Sequence, residues 1–526
     1  MRKTRSIASW VAVVLTAAGV AAAEVDRRVV QAAKQGDKDA VQALIKQRAD
    51  VNAPEADGTT ALHWAVRSDQ LDTVTLLIRA GANAKAVNRY GVTPLSLAAT
   101  GGNAGVIEML IKAGADPNDT REEGETVLMT AARTGKADAV KVLLAHGADV
   151  NAKEGWYGQT AVMWAAAENH ASVVQALVDR GADVNARSKV LEPPKREITD
   201  FRTDKKGQAL QTLLTTFPRA GLTPLLFAAR QGALQAAGVL VAAGADLNLP
   251  DPDGIAPLSL AIRNGHDDVA AFLIEKGANV NAADSAGRTP LYTAVDVHTL
   301  DWIQNRPAPK SSGPLNSLDV VKLLLDRGAD PNAQLKAAPP GWKGDAVAAQ
   351  NTFGGVLGPG TTAFVRAAKN ADLALMRLLL EKGANPNLTT RNHTTALMAA
   401  VGGLGRKYGA NLQVTPEEEK SVIEAATLCL ERGADVNAAN DAGLTALHGA
   451  AMLGANGLVQ FLAHRGAKLD AKAGQGRTPL DEALRGTPNI DGAPGDPHED
   501  TAALLRQLMA KQGVSAKADK PTTSER

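Results

Sequence analysis

Residues 122–152 read EEGETVLMTAARTGKADAVKVLLAHGADVNA, and the rest of the chain copies, interrupts or ends this stretch. Thr126 is placed to cap a first helix on which Leu128, Ala131 and Ala132 fall at i, i+3 and i+4, making one narrow face of small apolar side chains. Gly135 breaks the pattern. A second helix from about Asp138 carries Val140, Leu143 and Leu144 at the same spacing, until Gly147 supplies the left-handed residue that ends it. The prediction is two antiparallel helices of about nine residues each, shorter than the ~12–15 that an isolated helix needs in water. Such a pair must stack on like pairs to bury its leucines, so repetition is a physical requirement.

The repetition can be counted. Gly-Ala-Asp or Gly-Ala-Asn recurs at Gly81, Gly114, Gly147, Gly181, Gly244, Gly277, Gly328, Gly383 and Gly433, with Gly-Ala-Lys at Gly466. Successive gaps are 33, 33, 34, 63, 33, 51, 55, 50 and 33 residues. Four gaps exceed the period of 33 by more than one residue, by 30, 18, 22 and 17, and they locate four insertions. The fold class expected is all-α, a solenoid of about twelve helix-turn-helix units joined by short finger hairpins.

Four segments carry a family resemblance: Gly91-Val92-Thr93-Pro94-Leu95, Gly58-Thr59-Thr60-Ala61-Leu62-His63, Gly287-Arg288-Thr289-Pro290-Leu291 and Gly443-Leu444-Thr445-Ala446-Leu447-His448. They match G-x-T-P-L-H-x-A-A, and with the valine/leucine helix and the G-A-D-V-N-A closing the chain resembles the ankyrin repeat family over nearly all of its length after residue 24. Departures are local. The histidine survives only at His63 and His448, and Ala256 replaces the threonine before Pro257-Leu258. The resemblance implies a binding scaffold, with His63 and His448 bonded to nearby backbone.

At the N-terminus Arg2, Lys3 and Arg5 precede an apolar run from Ile7 to Val20, followed by Ala21-Ala22-Ala23. That order is the order of a signal peptide, so 1–23 is read as a leader with Glu24 as the mature start, the rival being an uncleaved anchor. No cysteine follows the run, which excludes a lipid-anchored form. Export places the protein in the periplasm or outside the cell, and the small, Ala-rich repeats suggest a bacterial source. Loss of three cations takes the balance from 57 Lys and Arg against 56 Asp and Glu to 54 against 56, net −2. This is too even to make nucleic acid or an anionic membrane the main partner. With Cys429 alone, no internal disulfide can form, and stacked cores must carry the stability.

The solenoid is expected over 24–513, beginning with a cap whose Arg27, Arg28, Gln31 and Lys34 keep an outer face wet. Its interruptions are 189–219, 298–316, 336–360, 403–416 and 485–497. Two of them, 298–316 and 403–416, fall between the helices of one unit, whereas 336–360 falls in a finger. A closing helix spans about Glu499 to Lys511, and 514–526 is a polar tail.

An enzyme would need a convergent set of reactive groups, and no phosphate loop, H-E-x-x-H, G-x-S-x-G or paired C-x-x-C is present. Asp251-Pro252-Asp253-Gly254 lacks the glutamate of a calcium loop and reads as a finger turn. Asp491, Asp496, His498, Glu499 and Asp500 read as a solvated loop into an acid-started helix, and Cys429, between Leu428 and Leu430, as core. Neither a metal nor a cofactor is expected. Asn118, Asn387 and Asn392 match glycosylation acceptors within the finger pattern, relevant only in a eukaryotic secretory host.

Function therefore rests on surface for a protein partner, by a chain expected to be monomeric. Aromatic residues are 3% of the sequence, so their clustering carries information. Trp156 and Tyr157 lie on one finger, Trp164 follows on the next helix, Phe201 and Phe217 lie in the first insertion, and Trp342 in the third. Trp and Tyr are enriched at binding hot spots, which makes these six the candidate partner-binding residues. Trp164 shares its helix position with Trp64, and both also suit an inter-repeat core. A non-catalytic scaffold is the reading. A secreted, host-directed effector with the same surface, and an enzyme assembled from the insertions, are the alternatives.

Overall fold

In the computed structural model the residues described are 26–190, 221–299, 313–337, 358–402, 414–487 and 495–513. They form twelve antiparallel helix pairs, numbered here as repeats. Repeats 1 to 4 are Arg28–Gln35 with Lys38–Lys46, Ala61–Arg67 with Leu71–Arg79, Pro94–Gly101 with Ala104–Lys112, and Val127–Arg133 with Ala137–Ala145. Repeats 5 to 8 are Ala161–Ala167 with Ala171–Val178, Pro224–Gln231 with Leu234–Ala242, Pro257–Arg263 with Asp267–Glu275, and Pro290–His298 with Ser317–Asp326. Repeats 9 to 12 are Ala363–Lys369 with Leu373–Glu381, Ala396–Gly402 with Pro416–Glu431, Ala446–Met452 with Asn456–His464, and Pro479–Arg485 with Glu499–Gln512. Among the described residues there is no strand, only an isolated bridge between Thr120 and Thr126.

The caps follow from side-chain chemistry. Thr126 Oγ1 accepts from Met129 N at 3.2 Å, satisfying one N–H that the first turn leaves free. Thr93, Thr223, Thr289, Thr362 and Thr478 do the same at their own helices. His63 closes its cap twice: Nδ1 accepts from Thr60 N at 3.2 Å, and Nε2 donates to Val92 O of the next repeat at 3.0 Å. His448 repeats this with Thr445 N at 3.2 Å and Arg477 O at 3.2 Å. The second helix of each hairpin ends at the glycine of the Gly-Ala-Asp motif; Gly147, at φ 88°, reverses the chain where a Cβ would be strained.

The first helix of every repeat packs on the first helix of the next, across the interruptions as well as between uninterrupted units. The core is one continuous row of Leu, Val, Ile and Ala, with Leu62, Leu95, Leu128, Leu225, Leu258, Leu291 and Leu447 all buried at one helix position. The second helices pack likewise, most loosely from repeat 8 to repeat 9.

The asparagine of the Gly-Ala-Asp-x-Asn closing is a stitch between repeats. Asn118 Nδ2 donates to Gly147 O at 3.0 Å while its Oδ1 accepts from Asp149 N at 2.7 Å. The same two-point bond runs from Asn52, Asn151, Asn185, Asn281, Asn332 and Asn437. It crosses three of the four interruptions that lie between two such motifs; at the fourth, Asn387 Nδ2 reaches Arg432 O at 3.4 Å instead. At one step Lys85 stands where the asparagine belongs, and no amide reaches Gly114.

Hydrogen bonds join the described residues that flank two of the interruptions. Ser188 N donates to Leu222 O at 3.0 Å, and Leu335 N to Thr361 O at 3.0 Å, so 191–220 and 338–357 leave from finger bases. The segments 300–312 and 403–413 leave between paired helices. Pro416 is the first residue of a helix capped by Thr415, and that helix runs for 16 residues where its counterparts run for about nine. Periodicity alone gave no sign of the extension. The expected leader 1–23, the tail 514–526 and most of the five interruptions lie outside the described residues.

Candidate functional site

Among the described residues the large apolar side chains that remain exposed are Leu71, Val87, Tyr90, Trp156, Tyr157 and Val190, and all but Leu71 lie on fingers. The fingers form an edge because each tip bonds to the next. Arg89 N donates to Asp57 O at 2.8 Å, Gly155 N to Glu123 O at 2.5 Å, and Lys189 N to Tyr157 O at 2.7 Å. Trp156 is 58% and Tyr157 44% exposed, with ring centroids 6.3 Å apart.

Their finger is built around a buried carboxylate. Glu154 accepts from Trp156 N at 2.6 Å, Tyr157 N at 2.9 Å and Gln159 N at 2.8 Å, fixing the turn so that both rings point outward. Gln159 lies five residues beyond Glu154, and the finger is one residue longer than its neighbours, the physical content of the single 34-residue gap. Tyr90 and Val87 extend the patch; the sequence showed them, in Val87-Asn88-Arg89-Tyr90, but an isolated tyrosine carried no signal beside the Trp-Tyr pair.

Trp164 is placed differently. It is half-buried on the solvent side of the first helix of repeat 5, packed on an apolar cluster that contains Met163, Leu226 and Phe227, with the Arg133 guanidinium 4.9 Å from its ring centre. Its Nε1 is closed off from solvent and has no hydrogen-bond partner among the described residues. Trp64, at the same helix position, is satisfied: Nε1 donates to Glu55 Oε2 at 2.8 Å, and Lys34 lies 4.5 Å above the ring while bonding Glu55 Oε1 at 3.0 Å. In repeat 6 Arg230 lies over Phe227 at 4.9 Å. Burial lowers the pKa of Arg230, and no carboxylate among the described residues pairs with it. Phe201, Phe217 and Trp342 lie outside the described residues; of the other three sequence candidates, Trp156 and Tyr157 lie together on one finger and Trp164 lies apart on the helix face.

A second polar cluster, which the sequence reading missed, lies between repeats 8 and 9. Arg366 is buried, its Nε donating to Asp296 Oδ1 at 2.8 Å, one terminal nitrogen to Asn370 Oδ1 at 2.9 Å and the other to Thr299 O at 3.0 Å. Asn370 Nδ2 also reaches Thr299 O, at 2.5 Å. His298 bonds Ser317 Oγ at 2.8 Å and Asp372 Oδ2 at 3.2 Å, tying the two ends of the 300–312 interruption to repeat 9. Tyr292 lies in the same junction, and burial raises its pKa. Every named donor of Arg366 is used, which marks a structural node where the second-helix packing is loosest.

Groups that invite a chemical reading have local partners. Asp251 Oδ1 accepts from Asp253 N at 2.9 Å and Ile255 N at 2.8 Å, an ordinary finger turn. Cys429 is fully buried, and burial pushes its thiol up to about 12. Asn118 and Asn387 spend their amides on stitches. Among the described residues no group of three metal-ligating side chains converges, and no helix is long and apolar enough to cross a membrane.

A solenoid of capped helical hairpins, stitched by asparagines and edged by fingers, defines a class of repeat protein. The family model of ankyrin repeats (3 copies) matches residues 29–121, 114–188, 206–284 and 225–335, and that of the ankyrin repeat matches 360–391. The first alone covers more than half of the chain, which belongs to the ankyrin repeat family. No curated protein matches the chain as a relative. Repeats 10 to 12 lie beyond the family matches but keep the caps, the Asn437 stitch and the helix stacking. Ankyrin repeats generally mediate protein–protein interaction, and proteins built of them are typically non-enzymatic scaffolds.

Proposed function

We propose that the chain is an exported, non-catalytic scaffold that holds a protein partner along the finger edge of repeats 3 to 6 and the adjoining helix face. One observation carries this reading: among the described residues, five of the six exposed large apolar side chains lie on fingers, between Val87 and Val190. Rigid repeats lower the ordering entropy of association, and Trp156 with Tyr157 offers large apolar area with few rotamers to fix. With full-length protein as bait for an envelope fraction, the combined change Trp156→Ala and Tyr157→Ala is expected to weaken partner capture by about 2 kcal/mol or more with an unchanged helical signal. Normal capture by the folded double variant would remove the aromatics from the site.

Export rests on the order of cations, apolar run and small residues before Glu24. N-terminal sequencing of the exported protein is expected to start at Glu24; a membrane-bound form that keeps Met1 would establish an anchor instead. Periplasmic residence and a monomeric scaffold are the form proposed, and a host-directed effector would use the same surface in another compartment.

A further inference from the structure

The finger acid does different work in two repeats that both carry a tryptophan on the open face. Glu154 turns its carboxylate into its own finger, as Asp251, Asp284 and Asn440 do in theirs. Glu55 instead reaches outward and caps both the Trp64 indole and the Lys34 ammonium, while Asp57 takes over its finger turn, accepting from Thr59 N at 3.0 Å. Repeat 2 therefore contains a complete carboxylate–indole–cation set. Repeats 4 to 6 contain the same set without its carboxylate.

What remains there is a row of donors and aromatic faces. Arg133 covers Trp164, Trp164 packs on the apolar cluster that includes Phe227, and Arg230 covers Phe227. The nearest carboxylate to Arg133 is Glu125, 3.7 Å away, and its Oε1 already accepts from Thr130 Oγ1 at 2.8 Å. A guanidinium lying on an aromatic face keeps its N–H edge free for a planar acceptor. The indole N–H of Trp164, closed off without an acceptor, carries a desolvation cost of about 1–3 kcal/mol that an incoming carboxylate would relieve. Arg133, exposed along its length, can swing aside to admit it.

From this internal template we infer that the open helix face of repeats 4 to 6 binds an acidic, extended segment of a protein partner, with one carboxylate at Arg133 and Trp164 and a second at Arg230. Arg133 and Arg230 lie two repeats apart, ~20 Å at a helix-layer spacing of ~10 Å. Extended chain rises ~3.3 Å per residue, so the two carboxylates stand about six residues apart with apolar side chains over Trp164 and Phe227. The inference rests on the scaffold reading and adds the chemistry of the segment bound.

The test uses the full chain and two synthetic dodecapeptides, one of alternating Glu and Ala, the other of alternating Gln and Ala. The indole ¹⁵N–¹H signal of Trp164 is assigned as the peak lost in Trp164→Phe. It is expected to move on titration with the Glu peptide and to stay in place with the Gln peptide, and Arg133→Gln combined with Arg230→Gln is expected to weaken Glu-peptide binding at least about tenfold. A stationary Trp164 signal, an equal shift with both peptides, or unweakened binding by the folded double variant overturns the inference. Partner capture lost in Trp156→Ala/Tyr157→Ala but retained in Arg133→Gln/Arg230→Gln overturns it too, and leaves the finger edge standing. The reverse pattern supports the acidic segment and removes the fingers from the site.

Discussion

Repeats 2, 3 and 5 and repeats 9 to 11 share one helical hairpin, yet they treat the solvent side of the first helix in opposite ways. In the first block the fourth and seventh helix positions hold Trp64 and Arg67, Leu97 and Thr100, or Trp164 and Ala167, each half or fully exposed. In repeats 9 to 11 the same positions hold Arg366 and Lys369, Ala399 and Gly402, and Gly449 and Met452, all buried. Exposed large apolar side chains follow the same division, since none among the described residues lies beyond Val190. One fold is thus divided between an open face, where rings and cations are presented, and a closed one, where a guanidinium is consumed internally.

The comparison is broken most severely at Arg366. Its removal leaves Asp296, Asn370 and Thr299 O facing a buried gap at the step where the second helices pack most loosely. Arg366→Ala is expected to cost about 3–5 kcal/mol, because an uncompensated buried charge is left behind. Denaturant unfolding of that variant should resolve an early transition of the C-terminal block while repeats 1 to 5 unfold as before, since each repeat touches only its neighbours. Next comes Trp156→Ala with Tyr157→Ala, about 2 kcal/mol in binding and almost nothing in stability, as exposed side chains on a turn held by Glu154. An equal effect of both variants on stability would erase the division between closed and open blocks.

Most of the fold was legible because its signals are local. A threonine before an apolar helix, a glycine at the turn and a period of 33 residues each act within one hairpin, so counting them gave twelve units and the positions of their interruptions. The site was legible in part. Trp156 and Tyr157 stood out against a chain poor in aromatics, and the 34-residue gap marked their finger as unusual. Glu55 and Glu154, by contrast, are the same residue type in neighbouring finger positions, and only the extra residue of the second finger decides that its carboxylate turns inward. Arg366 was illegible for a similar reason. Asp296 and Thr299 O lie about 70 residues away across an interruption, a distance over which periodicity carries nothing.

Acid offers a gentler way to separate the blocks' caps from their stacking. Burial lowers the pKa of His63 and of His448 below 6.5, in each case as the largest influence on the ring. Both are held neutral, accepting at Nδ1 from the cap and donating at Nε2 across the repeat boundary. Below 6.5 the unfolded chain binds protons that the folded one does not, so stability falls as pH drops through that range and is flat above it. Urea midpoints should decline together at the junctions of repeats 2 with 3 and 11 with 12, one in each block. His63→Gln should flatten the profile of the first alone. A decline confined to one block in the unaltered protein would show that the two caps are not equivalent.

The smallest effect expected is also the one that strengthens the open block. Lys85 occupies the stitch position between repeats 2 and 3, and its backbone N is already held by Asn83 Oδ1 at 2.9 Å, as the corresponding Asn118 and Asn151 are held by Asp116 and Asp149. The local turn is therefore preformed, and only the side chain is wrong. Gly114 opposite sits at φ 101°, against 84–90° for its counterparts at Gly147, Gly181, Gly244 and Gly277. Lys85→Asn should supply both missing bonds, from Nδ2 to Gly114 O and from Asp116 N to Oδ1. Each is worth about 0.5–1.5 kcal/mol net, and exposure at the surface puts the pair near ~1 kcal/mol together. Amide exchange at Ala115 and Asp116 should slow by a factor of about five at that gain, with exchange at Ala148 and Asp149 unchanged. If the substitution leaves exchange at Asp116 untouched, the stitches follow from the stacking of the helices and do not contribute to it.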